Sequence, residues 1–370
     1  MKRKKTATIT FHAAHNYGSS LQAYALQQII NRLGYENEII NLRTDRQKDL
    51  YTIFTKRRGL KYVIKNLSHL MYYYPLKKAY HKFEDFINNK LILTREYATE
   101  DDIVKAKLQY DTYIAGSDQI WNPVPADFDW SYYLTFVSEG RKISYAPSFG
   151  QLASKGDADT KKRMSEALKS FDVISVREQG AADNVKQLTG VEPQIVLDPT
   201  LLLRKEEWLD LVKDEKCLIK GNYIFFYTLF ADPKRMDIVK RVSKVTGLPV
   251  VISNFSNQYD VFNPFKKCYD TGPLDFLTLI RDAKLVVVSS FHGTVFSILL
   301  NVPFFAIDGM TDARISTLLK IAGLESREIT ISNVEDKCRD AFNIDFNRAN
   351  QRIEEARKQS IEFLKKSLEA

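Results

Sequence analysis

Short runs of β-branched and apolar residues alternate with longer stretches of helical periodicity along this chain, and the pattern halts once and begins again. Residues 6–11 alternate as a strand does, a polar turn containing Gly18 follows, and residues 21–33 carry an amphipathic helical spacing that Gly34 ends. Residues 38–42 read as the next strand, which makes a βαβ opening. Further short apolar runs lie at 110–115, 142–146, 171–176 and 194–197, separated by helical or turn-rich stretches. Strands spaced by helices pair in parallel, because a parallel neighbour needs a crossover connection, so a mostly parallel sheet is expected. Asp198-Pro199-Thr200 closes this half. The alternation restarts with strand 223–229, helix 233–246 and strand 249–253, then helix 274–283, strand 284–289, helix 293–300 and strand 304–307.

A chain of 370 residues has room for two hydrophobic cores. The pattern divides it into an N-terminal α/β domain at 1–205, a C-terminal α/β domain at 206–345, and a charged amphipathic helix at 346–370 laid over the surface. With 44% hydrophobic and 27% charged residues, the composition excludes a disordered chain. The net charge of +8 favours anionic partners: phosphates, an anionic bilayer or nucleic acid. Cys217, Cys268 and Cys338 are odd in number and too widely spaced for paired metal or redox chemistry, so free thiols are expected. The basic start Lys2 to Lys5 runs into threonine and histidine where a signal peptide has an apolar core, and the most apolar stretch, 285–307, is interrupted by His292, Asn301 and Pro303. A cytoplasmic protein is expected.

Ligands of parallel α/β sheets bind beyond the carboxyl ends of strands, so polar residues at those points carry the functional reading. The first such segment is His15-Asn16-Tyr17-Gly18-Ser19-Ser20, where Gly18 permits a tight turn and the Ser19 and Ser20 amides begin a helix able to hold an anion. Its plainer reading is an N-cap turn. The second, Gly116-Ser117-Asp118-Gln119-Ile120-Trp121-Asn122, sets donors and acceptors beside a tryptophan able to stack on a sugar face. The third is Val176-Arg177-Glu178, whose guanidinium fork suits a carboxylate or phosphate, with an ion pair between Arg177 and Glu178 as the alternative. The fourth, Ser289-Ser290-Phe291-His292-Gly293-Thr294, places an imidazole after an apolar strand and before a glycine that opens a helix.

These segments, together with Asp198-Pro199-Thr200, occur in the order found in the polysaccharide pyruvyl transferases, which the chain resembles over most of its length. The resemblance implies two Rossmann-like domains facing a cleft in a GT-B-like arrangement, with the acceptor on the N-terminal side and the donor on the C-terminal side. It implies transfer of pyruvate from phosphoenolpyruvate to a sugar diol as a ketal, with release of phosphate, in cell-surface polysaccharide biosynthesis. His292 and Arg177 are then the catalytic pair, and Asn16, Gly18, Ser19, Ser20, Asp118, Ser290, Phe291, Gly293 and Thr294 the substrate-binding residues. Several family members carry a basic residue two positions before this histidine, whereas this chain has Ser290.

His292 would act as an acid on the enol methylene or as a base on the attacking hydroxyl, with Asp118 orienting the acceptor. No metal-ligand cluster is legible, so chemistry without metal or cofactor is expected. Two other functions fit the same residues: a nucleotide-sugar glycosyltransferase on this fold, and a non-catalytic module for anionic glycans. Binding to nucleic acid is not expected, since that requires only distributed cations rather than discrete strand-end loops. Residues 50–83 hold eight Lys or Arg and no Asp or Glu, interleaved with tyrosine and phenylalanine. This composition predicts contact with an anionic membrane, at the inner face of the plasma membrane, or with a lipid-linked oligosaccharide acceptor.

Overall fold

The computed structural model describes residues 4–150, 157–230, 232–253 and 263–369; Lys2 and Arg3 of the basic start lie outside them. The chain forms two compact units. One comprises the residues up to Thr52, Glu84–Leu203 and those from Glu355 onward; the other comprises Ile53–Phe83 and Arg204–Glu354.

The first unit is built on strands β1 (Lys5–Ile9), β2 (Glu36–Leu42), β3 (Leu93–Tyr97), β4 (Thr112–Ala115) and β5 (Arg141–Ser144), all parallel, in the order β3-β2-β1-β4-β5. The alternation of Thr6, Ala7, Thr8 and Ile9 does not mean that one face meets water, because all four are buried. The threonine face closes on an internal polar ladder, in which Asn37 Nδ2 of β2 donates to Thr6 Oγ1 at 2.9 Å and to Thr8 Oγ1 at 3.0 Å. Such pairing removes the desolvation penalty of burying hydroxyls. Strand β3, Leu-Thr-Arg-Glu-Tyr, escapes the apolar pattern because it is an edge strand with Arg95 and Glu96 exposed. The run at 171–176 yields only β6 (Ser175–Val176), paired in parallel with β7 (Gln194–Ile195); Phe171 turns instead towards the ring of Trp121.

The second unit carries β8 (Ile224–Tyr227), β9 (Val250–Ile252), β10 (Lys266–Lys267), β11 (Leu285–Val288), β12 (Phe304–Ile307) and β13 (Glu328–Ile329), again all parallel, in the order β10-β9-β8-β11-β12-β13. Every residue of β8, β9, β11 and β12 is buried, as helices on both faces of a parallel sheet demand. Counted within each unit, the strand orders are 3-2-1-4-5 and 3-2-1-4-5-6, the doubly wound Rossmann arrangement. The direction of winding therefore reverses between β1 and β4 in one unit and between β8 and β11 in the other.

Two parts of the chain group differently from the sequence reading. The basic aromatic segment from Ile53 to Phe83 belongs with the second unit rather than the N-terminal domain. The final helix, Phe346–Glu369, is not a separate body: beyond Glu354 it is part of the first unit, where Arg357 Nε donates to Leu201 O at 2.6 Å and Ser360 Oγ accepts from Leu197 N at 3.0 Å. Cys217, Cys268 and Cys338 are free. Among the described residues no helix is long and apolar enough to cross a membrane, and no cluster of three or more His, Cys, Asp or Glu is arranged to hold a metal ion.

Candidate functional site

In the second unit the switch point is lined by Thr228, just after β8, and by Ser289 and Ser290, just after β11; the Thr228 and Ser289 hydroxyls meet at 2.7 Å. The helix Phe291–Leu299 starts there, with Ser290 as an extended N-cap whose side chain makes no capping bond and with no acidic residue in the first turn. The first amides of a helix lack intrahelical acceptors and sit at the positive end of its dipole, so this end attracts an anion. His292 is the second residue of the helix, 7% exposed, its ring edge-on to Phe291 at 5.1 Å. Thr294, expected among the ligand-binding residues, turns inward: it is fully buried, and its amide and hydroxyl return to Ser290 O at 3.0 and 3.1 Å, so it builds the turn.

Gly293 lets the helix sit down on the sheet. A Cβ there would stand 2.8 Å from Val288 Cγ1 and 3.2 Å from Tyr227 Cδ1, both buried side chains. Gly293→Ala is therefore expected to lower the free energy of unfolding by about 1–3 kcal/mol through overpacking. Urea titration measures this, and an unchanged midpoint would show that the contact has slack.

In the first unit β4 leads into Gly116-Ser117-Asp118 beside the end of β1. Gly116 is tightly enclosed: a Cβ would lie 3.0 Å from Thr10 Cβ and 3.1 Å from Thr8 Cγ2, so these side chains would have to give by a few tenths of an ångström. Asp118 takes the left-handed conformation at φ 77, and Ala146, two residues past β5, does so at φ 56. Backbone held in that region by non-glycine residues is concentrated at functional sites. Asp118 Oδ2 accepts from Ser19 Oγ at 2.5 Å, which joins the turn to the start of helix Tyr17–Arg32.

The anion cradle expected at that helix is occupied by the protein itself. Asn16 Oδ1 accepts from Gly18 N at 3.0 Å and Ser19 N at 3.3 Å, while Ser20 N donates to Asn16 O at 3.1 Å. The plainer N-cap reading describes this turn, and Ser20, fully buried, donates to Ala14 O.

Arg177 also differs from its expected part as a ligand clamp. Its side chain is only 2% exposed, and Nη1 donates to Asp198 Oδ2 at 2.7 Å while Nε lies 3.6 Å from Glu178 Oε2. Burial alone would lower the guanidinium pKa, but the charges of Asp198 and Glu178 outweigh it and raise the pKa. Asp198 gathers the surrounding loops as well: it accepts from Ser117 Oγ at 2.9 Å, Thr200 Oγ1 at 2.6 Å and Thr200 N at 3.0 Å. The fork thus fastens the Gly116-Ser117-Asp118 turn from behind. Trp121 is no sugar platform either; it is fully buried, stacked on Tyr133 at 5.5 Å, with Nε1 donating to Tyr132 O.

A further cluster at the ends of β1 and β2 escaped the sequence reading. Glu84 accepts from His15 Nε2 at 2.9 Å and from Arg43 Nη1 at 2.8 Å, and His15 stacks on Tyr51 at 5.4 Å. Burial pushes the Glu84 pKa up, but the bonds from His15 and Arg43 and the Arg43 charge bring it down to about 2. His12, buried between Thr10 O and Asn41 Oδ1, has its pKa lowered by burial. The signal available in sequence was that Glu84 is the first acid after the acid-free stretch at 50–83.

The solved structures that share this architecture include three sugar-nucleotide epimerases. The UDP-GlcNAc 2-epimerase of Neisseria meningitidis bound to UDP-GlcNAc is 10% identical with a TM-score of 0.56, covering 99% of each chain. That of Methanocaldococcus jannaschii in complex with UDP-GlcNAc and UDP is 11% identical with a TM-score of 0.55, covering 96% of this chain and 99% of that one. The UDP-N-acetylglucosamine 2-epimerase of Rickettsia bellii is 8% identical with a TM-score of 0.51, covering 98% of each chain. At such identities the likeness is one of fold, and the fold is GT-B-like. No curated protein matches the chain. The family model described as polysaccharide pyruvyl transferase matches residues 16–309, a span that takes in the Asn16 turn, the Asp118 turn, Arg177, Asp198 and His292. This chain therefore belongs to the polysaccharide pyruvyl transferase family and is a transferase.

Proposed function

We propose that this transferase moves the pyruvyl group of phosphoenolpyruvate onto two hydroxyls of one sugar as a ketal, with a cell-surface glycan, free or lipid-linked, as acceptor. The observation that carries this reading is His292 in the first turn of a helix that has no first-turn acid and starts at the switch point of the second unit. Such a helix end suits a donor bearing both phosphate and carboxylate. The backbone of Ser290, Phe291 and Gly293 holds the donor in this reading, and the imidazole beside it transfers the proton.

His292 gives a proton to the methylene carbon of phosphoenolpyruvate, which leaves the adjacent carbon electrophilic. A sugar hydroxyl adds to that carbon and returns its proton to His292. The bond from the carbon to the phosphate oxygen then breaks, the second hydroxyl closes the ketal, and its proton leaves with phosphate.

The first unit supplies the acceptor side. A carboxylate accepts hydrogen bonds from sugar hydroxyls and repels phosphate, so Asp118, fixed by Ser19, suits a diol and not the donor. Asn16, Gly18 and Ser20 shape that turn. Arg177 serves as a positioning residue, holding the Asp118 turn through Asp198 and Ser117.

Incubation with phosphoenolpyruvate and diol-bearing glycans tests the reaction, with phosphate release and the glycan mass followed together. Glycan-dependent phosphate release that yields a ketal supports it. Consumption of a nucleotide sugar, with phosphoenolpyruvate untouched, would replace it by glycosyl transfer on the same fold.

A further inference from the structure

Helix Leu60–Met71 of the second unit is turned inside out. Its polar side faces the protein: Asn66 Nδ2 donates to Thr55 O and Asn66 Oδ1 accepts from Thr55 N, both at 3.1 Å, and His69 Nδ1 lies 2.5 Å from Ile53 O. Its apolar side faces outward, where Leu60, Val63, Ile64, Leu67, Leu70 and Met71 are each between 53% and 76% exposed. At about 100° per residue these six fall within an arc of about 120°. A helix on a water-soluble surface buries such a stripe, and a contiguous exposed one marks an interaction surface.

Charge identifies the partner. Lys56, Arg57 and Arg58 stand exposed just before the helix and Lys77 just after it, with Tyr74 beside them 82% exposed. No acidic residue occurs anywhere from Ile53 to Phe83. A second copy of this chain docked stripe to stripe would set these cations against their own kind, which opposes association. An anionic bilayer neutralises them and takes the aliphatic stripe and the tyrosine into its headgroup boundary.

We propose that helix Leu60–Met71 lies in the plane of an anionic membrane surface, its aliphatic stripe in the acyl boundary and Lys56, Arg57, Arg58 and Lys77 on lipid phosphates. This holds whichever donor the transferase uses.

Sedimentation of the full chain with vesicles of phosphatidylcholine alone, or of phosphatidylcholine mixed with phosphatidylglycerol, tests it. The protein is expected to pellet with the mixed vesicles, less so as salt is raised. Partitioning should fall roughly tenfold or more in Leu67→Asp/Leu70→Asp and again in Arg57→Gln/Arg58→Gln, with the melting temperature of each variant measured beside it. In a third variant, Leu67→Trp, the indole emission at that position should move to shorter wavelength when mixed vesicles are added. Should the aspartate pair unfold the chain, the arginine pair and the tryptophan probe still decide. The proposal is overturned by binding to neither vesicle, by binding indifferent to lipid charge and salt, or by variants that bind as the parent does. It is equally overturned by a lipid-free dimer that the aspartate pair dissolves, which would assign the stripe to a second copy.

Discussion

Replacing His292 with asparagine is expected to slow turnover of phosphoenolpyruvate by roughly 10²- to 10⁴-fold while leaving the melting temperature and most donor binding in place. Asparagine is polar but smaller than imidazole and has no ring, so the edge contact with Phe291 is lost while a polar group stays in place. The helix end and its amides belong to the backbone and survive the change, and with them the part of donor affinity that comes from the dipole. Only the titrating group is lost. The assay must therefore report phosphate release and thermal unfolding on the same preparation. A folded variant that releases phosphate at the parental rate removes His292 from the chemistry. A variant whose melting temperature collapses shows a histidine kept for packing, in line with its 7% exposure.

The second large effect concerns Asp198. Neutralising it in Asp198→Asn leaves the Arg177 guanidinium buried with its 2.7 Å partner gone, and the cost of such a broken pair is about 3–5 kcal/mol. The loss is expected in a urea unfolding curve. Arg177→Met/Asp198→Leu, which removes both members of the pair, should lose less than the two single changes together, because neither is left facing an absent partner and Glu178, buried beside Arg177, keeps its bond from Ser148 Oγ. Asp198→Asn unfolding at the parental midpoint while donor binding drops would return Arg177 to the role of a ligand clamp.

Much of the architecture was legible in advance because burial on both faces of a parallel sheet leaves apolar runs that cannot be mistaken for surface. Strands β8, β11 and β12 follow directly from such runs, and the helix Pro233–Thr246 from its own periodicity. Where a strand lies at an edge, as β3 does, or is cut to two residues, as β6 is, local composition carries no such mark.

The candidate site divides along the same line. His292 was found because its signal is local: an apolar strand, a small-residue turn and a helix start lie within a few residues of one another. Arg177, Asn16, Thr294 and Trp121 each carried side chains fit for a ligand, yet the protein uses them on itself.

What the sequence determined by itself is therefore local and periodic: the alternation of strand and helix, its restart, the strand-end segments and the family they resemble. The tertiary structure decided which polar groups meet. Arg177 and Asp198 are 21 positions apart, Ser19 and Asp118 are 99 apart, and each pair is brought together by strand order, which no local spacing encodes. It also decided that the apolar side of helix Leu60–Met71 faces outward. Periodicity states that a helix has an apolar face, and only the packing around it states whether that face meets the core or something beyond the chain.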